Sequence, residues 1–462
     1  MYYTLFYKKI IKVQSKIIIM FEDKEMKKFL IAGAGGAGVS NIAQILLQAG
    51  FTVTGCDRLK NAATENLEKL GIKVLLENEV DLSNFTHIFR SAALKDDHPM
   101  IVKARELDIQ VISRYELFED LSKTKEVIAI AGSSGKTSTT GIVSHILSGD
   151  RDCGYLVGIH GNGGHYGKEN DFVLEADEYA KTFLHLSAIK IGIITGLKYD
   201  HVDIYPTKTE YDNAFKLFAS RVKKLIINGD DQYLKDSMKE FSPITFGKNG
   251  DNDWVATNIK NYEGGSNFDI YNQGKLVAHI NLQVIGGHNV INALAGFVAN
   301  YYNDVPIDRI IERLQSFKGL PRRVELLRQD PFYVYDDYAH LPGEIETVLK
   351  GLRESFPTRR ILCLFQGHTY TRINAFFEDY AIVLSNCDKL YLTDVYAARD
   401  STGSVDLELL LSKVKLEDKT LSGTLENSKL LITKDIKPGD VIIFLNAGDA
   451  TKLAHYFAQV NL

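Results

Sequence analysis

The 462-residue chain is poor in the features that mark several protein classes. It has only four cysteines, Cys56, Cys153, Cys363 and Cys387, in neither CxxC nor HxxxH spacing. That scatter argues against a disulfide framework or a zinc site and suits a reducing cytoplasm. Basic residues are not in excess: 54 Lys and Arg against 59 Asp and Glu leave a formal net charge of -5. A nucleic-acid partner is therefore not expected, and anionic ligands must be met by local basic groups. No apolar run approaches the roughly 20 residues of a membrane span. The opening MYYTLFYKKIIKVQSKIIIMFEDKE mixes lysines through its apolar residues and lacks the layout of a signal peptide. Residues 1–25 read as an upstream extension, with Met20 or Met26 as an alternative start, and carry no assigned function. Short-period repeats and low-complexity segments are also missing.

What remains is the composition of a soluble globular protein, 45% hydrophobic and 24% charged, at a length that calls for two to four domains. Three segments differ in character. Residues 26–122 alternate apolar runs (KKFLIAGAG, FTVTGCD, THIFRSAA, IQVIS) with helical patterns, the mark of βαβ units and a parallel sheet. Residues 123–320 bring further buried strands at EVIAIAG, DFVLEAD, KIGIITG and KKLIING, and residues 321–462 repeat the theme at PFYVYDDYAH, RRILCLFQG, KLYLTDVY and DVIIFLNAG. The expected fold class is α/β. Ligands in such sheets sit at the carboxyl ends of strands, and these strands end in GAGGAG, CD, GSSGKT, EADE, GLKYDH, DDYAH, QGH and NAGD.

Two glycine turns carry the clearest chemistry. Gly132-Ser133-Ser134-Gly135-Lys136-Thr137-Ser138 follows the strand VIAIA and precedes a helical pattern. Its backbone N–H groups and helix N-terminus can cradle a phosphate, Lys136 can reach the β/γ-phosphates, and Thr137 can offer a hydroxyl to Mg²⁺. Ile130 stands where the common GxxxxGK[ST] loop has its first glycine. The other turn, Gly33-Ala34-Gly35-Gly36-Ala37-Gly38, satisfies GxGxxG, with Asp57 following at the end of the next strand. Alone it reads as a dinucleotide site and suggests a nicotinamide oxidoreductase. A redox enzyme, however, needs no second phosphate loop with its own carboxylates. Glu175, Asp177 and Glu178 crowd the end of DFVLEADE, where a cation would relieve their repulsion.

The shortened loop G-[ST]-x-G-K-T resembles the ATP loop of the Mur ligases, and later strings follow that family in order: EADE, DHVD around His201, GGHNVINALA, KGLPRRVE, DDYAH, QGHTYTR, YAARD with Arg399, and NAGD. The resemblance covers roughly residues 27–455. It implies three α/β domains: a Rossmann-like UDP-sugar domain (26–122), a P-loop ATPase domain (123–320) and a Rossmann-like C-terminal domain (321–462) that closes on the other two. It implies ATP and Mg²⁺ as cofactors, with the metal at Thr137, Glu175 and His201. Base and phosphate contacts would come from His288, Asn289, Asn292, Asp337 and Arg323 rather than Arg322, with Asn289 also readable as a helix cap. The first glycine turn (Gly33, Gly35, Gly36, Gly38) would hold the UDP-sugar diphosphate with Ser40, Asp57 and Ser91 nearby. His368 and Arg372 would serve the amino-acid substrate or the acyl phosphate, and His340 is a further catalytic candidate.

Within the family the strings are most similar to the ligases that join L-alanine to UDP-N-acetylmuramate, as cytoplasmic enzymes of peptidoglycan synthesis needing no obligatory protein partner. The segment from Glu175 to Tyr205 also looks like ligases that reattach a recycled tripeptide, and glycine or serine are alternative amines. Ser133-Ser134 and Thr369 also depart from the family strings, and departures at Gly196, Leu341, Gly343 and Gly367 leave a further alternative: a degenerate nucleotide-binding regulatory protein.

Overall fold

A computed structural model describes residues 27–460, except Val202, Arg399, Ser401 and Thr402. The readings made above for residues 1–25 and for Arg399 lie outside the described residues. The chain divides into two compact units: residues up to Thr140 with Arg151–Ile226 and Asp236–Pro243, and Gly141–Asp150 with Ile227–Lys235 and Ile244–Leu462.

The first unit opens with an all-parallel sheet in the order β3-β2-β1-β4-β5. Its strands are β1 (Lys28–Ala32), β2 (Thr52–Asp57), β3 (Lys73–Leu76), β4 (His87–Arg90) and β5 (Gln110–Ile112). Phe29 to Ala32 are fully buried, as a central strand covered on both faces requires. Helix α1 (Ala37–Gln48) leaves the first glycine turn, and α2 (Arg114–Thr124) follows β5. The same unit carries β6 (Glu126–Ala131), whose helix α3 (Lys136–Ser148) starts at the phosphate loop. It also holds β7 (Gly154–Leu156), β8 (Gly164–His165), β9 (Asp171–Glu175), β10 (Ile189–Ile194) and β11 (Val222–Asn228) as far as Ile226. These run in the order β11-β10-β6-β9-β7-β8, with β6 between β10 and β9 and parallel to both. Both glycine turns thus leave a strand that has parallel neighbours on each side.

The second unit contains β12 (Ile244–Gly247), then β13 (Trp254–Tyr262), β14 (Gly265–Asn272) and β15 (Lys275–Leu282), in the order β15-β14-β13-β12. The last three form an antiparallel meander. The sequence reading missed it. Its strands alternate buried and exposed residues instead of forming apolar runs, as a one-sided antiparallel sheet does. Helix α4 (Gly287–Tyr301) follows. The remaining sheet, β16-β17-β21-β18-β19-β20, is parallel except for β16. It comprises β16 (Glu325–Arg328), β17 (Tyr333–Asp337), β18 (Ile361–His368), β19 (Lys389–Tyr396), β20 (Lys419–Gly423) and the fully buried β21 (Val441–Asn446). Helix α5 (Pro342–Ser355) leaves β17.

Candidate active site

The phosphate loop is braced from the end of β10. Gly132 has φ 131°, and a Cβ there would lie 2.9 Å from the Thr195 backbone nitrogen, so only glycine fits. The Thr195 hydroxyl donates to Ser134 O (2.5 Å), Ser133 N–H to Gly196 O (3.1 Å), and Lys198 N–H to Ser133 Oγ (3.0 Å). Gly196 serves the loop through its carbonyl, so the departure noted there leaves this brace intact. Ser134 is exposed and Ser138 half-buried on the first turn of α3.

Lys136 and Thr137, adjacent in sequence, face different carboxylates. The Lys136 ammonium donates to Gly132 O (2.7 Å) and Glu178 Oε1 (2.8 Å). Thr137 Oγ1 donates to Glu175 Oε1 (2.9 Å), whose other oxygen accepts Gly158 N–H (2.6 Å). His201 places Nε2 3.4 Å from Glu178 Oε1 and holds φ 55°, a conformation that costs a non-glycine residue about 1 kcal/mol or more. Lys136, Glu178 and His201 therefore meet, with Glu175 on the neighbouring residue Thr137. Glu178 is the residue the sequence reading passed over; the EADE string displays it but does not say which carboxylate turns inward. It is 1% exposed, and among the described residues its Oε2 has no hydrogen-bond partner.

The electrostatics follow from that burial. Desolvation is the largest influence on Glu178 and pushes its carboxyl up, but the His201 hydrogen bond and the Lys136 charge together outweigh it and hold Glu178 below the usual carboxylate range. Burial likewise works to lower Lys136, and Glu178 and Asp177 more than offset it. Asp177 is raised by burial, opposed by Lys136 and more weakly by Arg114. The His201 imidazole is raised chiefly by its hydrogen bond to Glu178. An orphaned buried oxygen beside a second carboxylate and a hydroxyl is an oxygen-donor set of the kind Mg²⁺ takes. Among the described residues there is no cluster of three or more His, Cys, Asp or Glu spaced to hold a metal by themselves.

The first glycine turn is tied down differently. Gly35 N–H donates to Asp57 Oδ2 (2.8 Å), and Asn61 Nδ2 donates to Gly35 O (3.2 Å). Asp57 thus holds the turn from behind. Ser91, which accepts from Ala93 N–H through Oγ (3.3 Å), packs against Gly33, and Ser40 is buried in α1. Further along α1, Asn41 donates to Val157 O (3.0 Å) and Ile159 O (2.8 Å) and accepts Gly163 N–H (3.1 Å). Gln44 donates to Gly161 O, and Gln48 accepts from Tyr166 N–H. These stitches leave no mark in the sequence pattern, because amide side chains inside a helix read like any other polar residue.

In the second unit, α4 begins at Gly286, which is its cap; Asn289 is not, and instead donates from Nδ2 to Ile285 O (2.9 Å). Asn292 lies 3.4 Å from Asn289 Oδ1, and both are buried. Burial, helped by Lys248, pushes the half-buried His288 imidazole down to about 4. Arg322 donates to Asn446 O (2.6 Å) and Oδ1 (2.9 Å), and both Arg322 and Arg323 lie over the Tyr338 ring, at 4.9 Å and 5.5 Å. Asp337 is buried, accepting Val324 N–H and Ala339 N–H at 2.6 Å each. At the carboxyl ends of β17, β18 and β19, His340 stands 5.8 Å ring to ring from His368, which stacks on Tyr396. Arg372 donates to His368 Nδ1 (2.7 Å). Since arginine keeps its protons, that nitrogen must be the bare one, and burial with Arg372 pushes His368 down to about 4. Burial lowers His340 as well. Of the other departures, Leu341 precedes α5, Gly343 faces open space, and Gly367 packs on Ile373.

A strand–loop–helix lysine with its own buried carboxylates, a second glycine turn and three sheets together define the architecture of an ATP-dependent ligase family, and family models match in that order. The Mur ligase family catalytic domain matches residues 29–126, the Mur ligase middle domain 130–300 and the Mur ligase glutamate ligase domain 322–448. The chain belongs to the Mur ligase family. More particularly, it is 36% identical over 451 residues to the UDP-N-acetylmuramate–L-alanine ligase of Clostridium novyi, covering 94% of this chain and 97% of that one. It is 34% identical to the enzyme of the same name from Levilactobacillus brevis, covering 93% and 96%. Among solved structures, the UDP-N-acetylmuramate–alanine ligase of Thermotoga maritima superposes with a TM-score of 0.81 at 26% identity, covering 94% of this chain and 98% of that one.

Proposed function

We propose that this chain joins L-alanine to the carboxylate of UDP-N-acetylmuramate at the expense of ATP, as a cytoplasmic step of peptidoglycan precursor synthesis. The observation that carries the reading is the meeting of Lys136 and His201 on buried Glu178, beside the Thr137–Glu175 pair. The muramoyl carboxylate oxygen attacks the γ-phosphorus, the bond to the β-bridging oxygen breaks, and ADP leaves an acyl phosphate. The alanine nitrogen then attacks the acyl carbon, inorganic phosphate departs and a proton is lost from nitrogen. Lys136 neutralises charge on the transferring phosphoryl group, an effect typically worth several kcal/mol. Thr137, Glu175, Glu178 and His201 are the residues that would hold Mg²⁺, which supplies the same electrostatic help when bound. The first glycine turn, with Ser40, Asp57 and Ser91 about it, takes the UDP-sugar. His288, Asn289 and Asn292 serve the base, Arg323 and Asp337 the phosphates, and His340, His368 and Arg372 the amino acid.

The degenerate reading loses ground at two of its departures, because Gly196 braces the loop through its carbonyl and Gly343 faces open space. No described helix is long and apolar enough to cross a membrane. ADP release with UDP-N-acetylmuramate, measured with and without L-alanine, tests the proposal. Release that requires L-alanine supports it. Release that requires a tripeptide instead would assign the chain to recycling, and nucleotide binding without turnover would leave it a regulator.

A further inference from the structure

The glycine turn at the head of α1 has one arginine against it that the proposed function does not use. Gly38 sits on the second residue of that helix, and a Cβ built there would overlap the Arg114 guanidinium, so the arginine rests directly on the glycine. Arg114 is half-buried, yet among the described residues no hydrogen bond or ion pair reaches its side chain, although a guanidinium carries five donors. Its position is built. It is the first residue of α2, behind a capping box in which Ser113 and Glu116 satisfy each other's backbone. The next residue, Tyr115, donates to Ala180 O (3.1 Å) and stacks on His185 at 4.3 Å. A cation in the first turn of a helix opposes the macrodipole, so the position gains nothing for α2 itself. Its field reaches Asp177, beside the Lys136 site.

We propose that Arg114 is a substrate-positioning residue whose guanidinium grips an oxyanion of the nucleotide sugar held by the Gly33–Gly38 turn. Gly38 is then glycine so that the guanidinium can lie across the turn. The inference rests on the reading of that turn as the UDP-sugar site. Two oxyanions of the ligand share the required chemistry, the diphosphate and the muramoyl carboxylate, and UDP carries only the first. Calorimetric titration of the full chain with uridine, UDP and UDP-N-acetylmuramate, together with KM values, tests it. Arg114→Ala is expected to weaken UDP-N-acetylmuramate ~10- to 100-fold in Kd and KM, as for loss of a charge-assisted hydrogen bond. Uridine affinity and the KM for ATP stay unchanged, and Arg114→Lys recovers part of the loss. Weakened UDP binding assigns the contact to the diphosphate, and intact UDP binding assigns it to the carboxylate. Unaltered affinity for both charged ligands overturns the proposal, as does an equal loss for uridine, which would mark a structural role. If Arg114→Ala does not fold, Arg114→Gln and Arg114→Lys carry the same comparison. Failure of the unmodified protein to bind UDP or UDP-N-acetylmuramate would instead overturn the reading of the turn, and this proposal with it.

Discussion

The two glycine turns leave equivalent strands, β1 and β6, each parallel to a neighbour on either side, yet they are furnished for different work. The first is held from behind by Asp57 and Asn61 and has a lone arginine laid across it. The second is braced by Thr195, Gly196 and Lys198 just past β10, and its Lys136 and Thr137 meet Glu178, Glu175 and His201. Backbone amides at a helix start suffice to hold a phosphate group. Moving one needs charges that can follow the reaction. On the proposed function, the difference between binding and chemistry lies in the side chains around a turn more than in the turn itself.

That contrast is most directly broken at Lys136. Lys136→Ala is expected to cut ligation by ~10³-fold or more, about 4 kcal/mol of barrier, while leaving the affinity for UDP unchanged. ADP release and calorimetry read the two effects separately, and a variant that ligates at full speed would remove the basis of the comparison. Glu178→Gln comes next. It leaves the buried ammonium of Lys136 without its counter-charge, so turnover should fall ~10²-fold and the ligand-free protein should lose about 3 kcal/mol in urea unfolding. Equal stability of the two proteins would mean that Lys136 is solvated in solution. Gly132→Ala sharpens the difference in backbone. Its φ and the nearby Thr195 nitrogen predict a loss of about 2 kcal/mol, whereas Gly343→Thr, which faces open space, should stay within about 0.5 kcal/mol.

A pH effect lies away from both turns. The His145 imidazole lies 3.0 Å from Arg313 O and Ser316 Oγ, and burial with the Arg313 charge pushes it down to about 4. Its folded-state value is below its unfolded one, so the unfolded chain binds more protons between about pH 6.5 and 4. Stability from this group is present above that window and is lost as pH falls through it, by on the order of 1 kcal/mol for a half-buried ring. His145→Asn should flatten that part of the pH–stability curve, and an unchanged slope would show that the ring is not held neutral.

Much of the fold was legible because its parallel strands are buried on both faces and announce themselves as apolar runs. The meander β13–β15 was not, although Asn272-Gln273-Gly274-Lys275 is a two-residue hairpin turn with positive φ at Gln273 and Gly274. Alternating strands needed a different template. In the site, the loop lysine and the acidic string were readable because they are contiguous. Glu178 was in view but not chosen, since which carboxylate of EADE turns inward depends on Lys136 and His201, 42 and 23 residues away in sequence. Arg114 and Asn41 were invisible: each looks like an ordinary helix residue until the fold brings its partner alongside.

Helix α1 begins at the first glycine turn, and Asn41, Gln44 and Gln48 along it clasp the segment from Val157 to Tyr166, where Gly158 reaches Glu175. One helix thus spans from the turn proposed to cradle the nucleotide sugar to a segment bonded to Glu175, proposed to serve the ATP site. Stiffening its head would damp motion at its flank, so slowed amide exchange across residues 157–166 on loading the nucleotide sugar is where such a linkage would register.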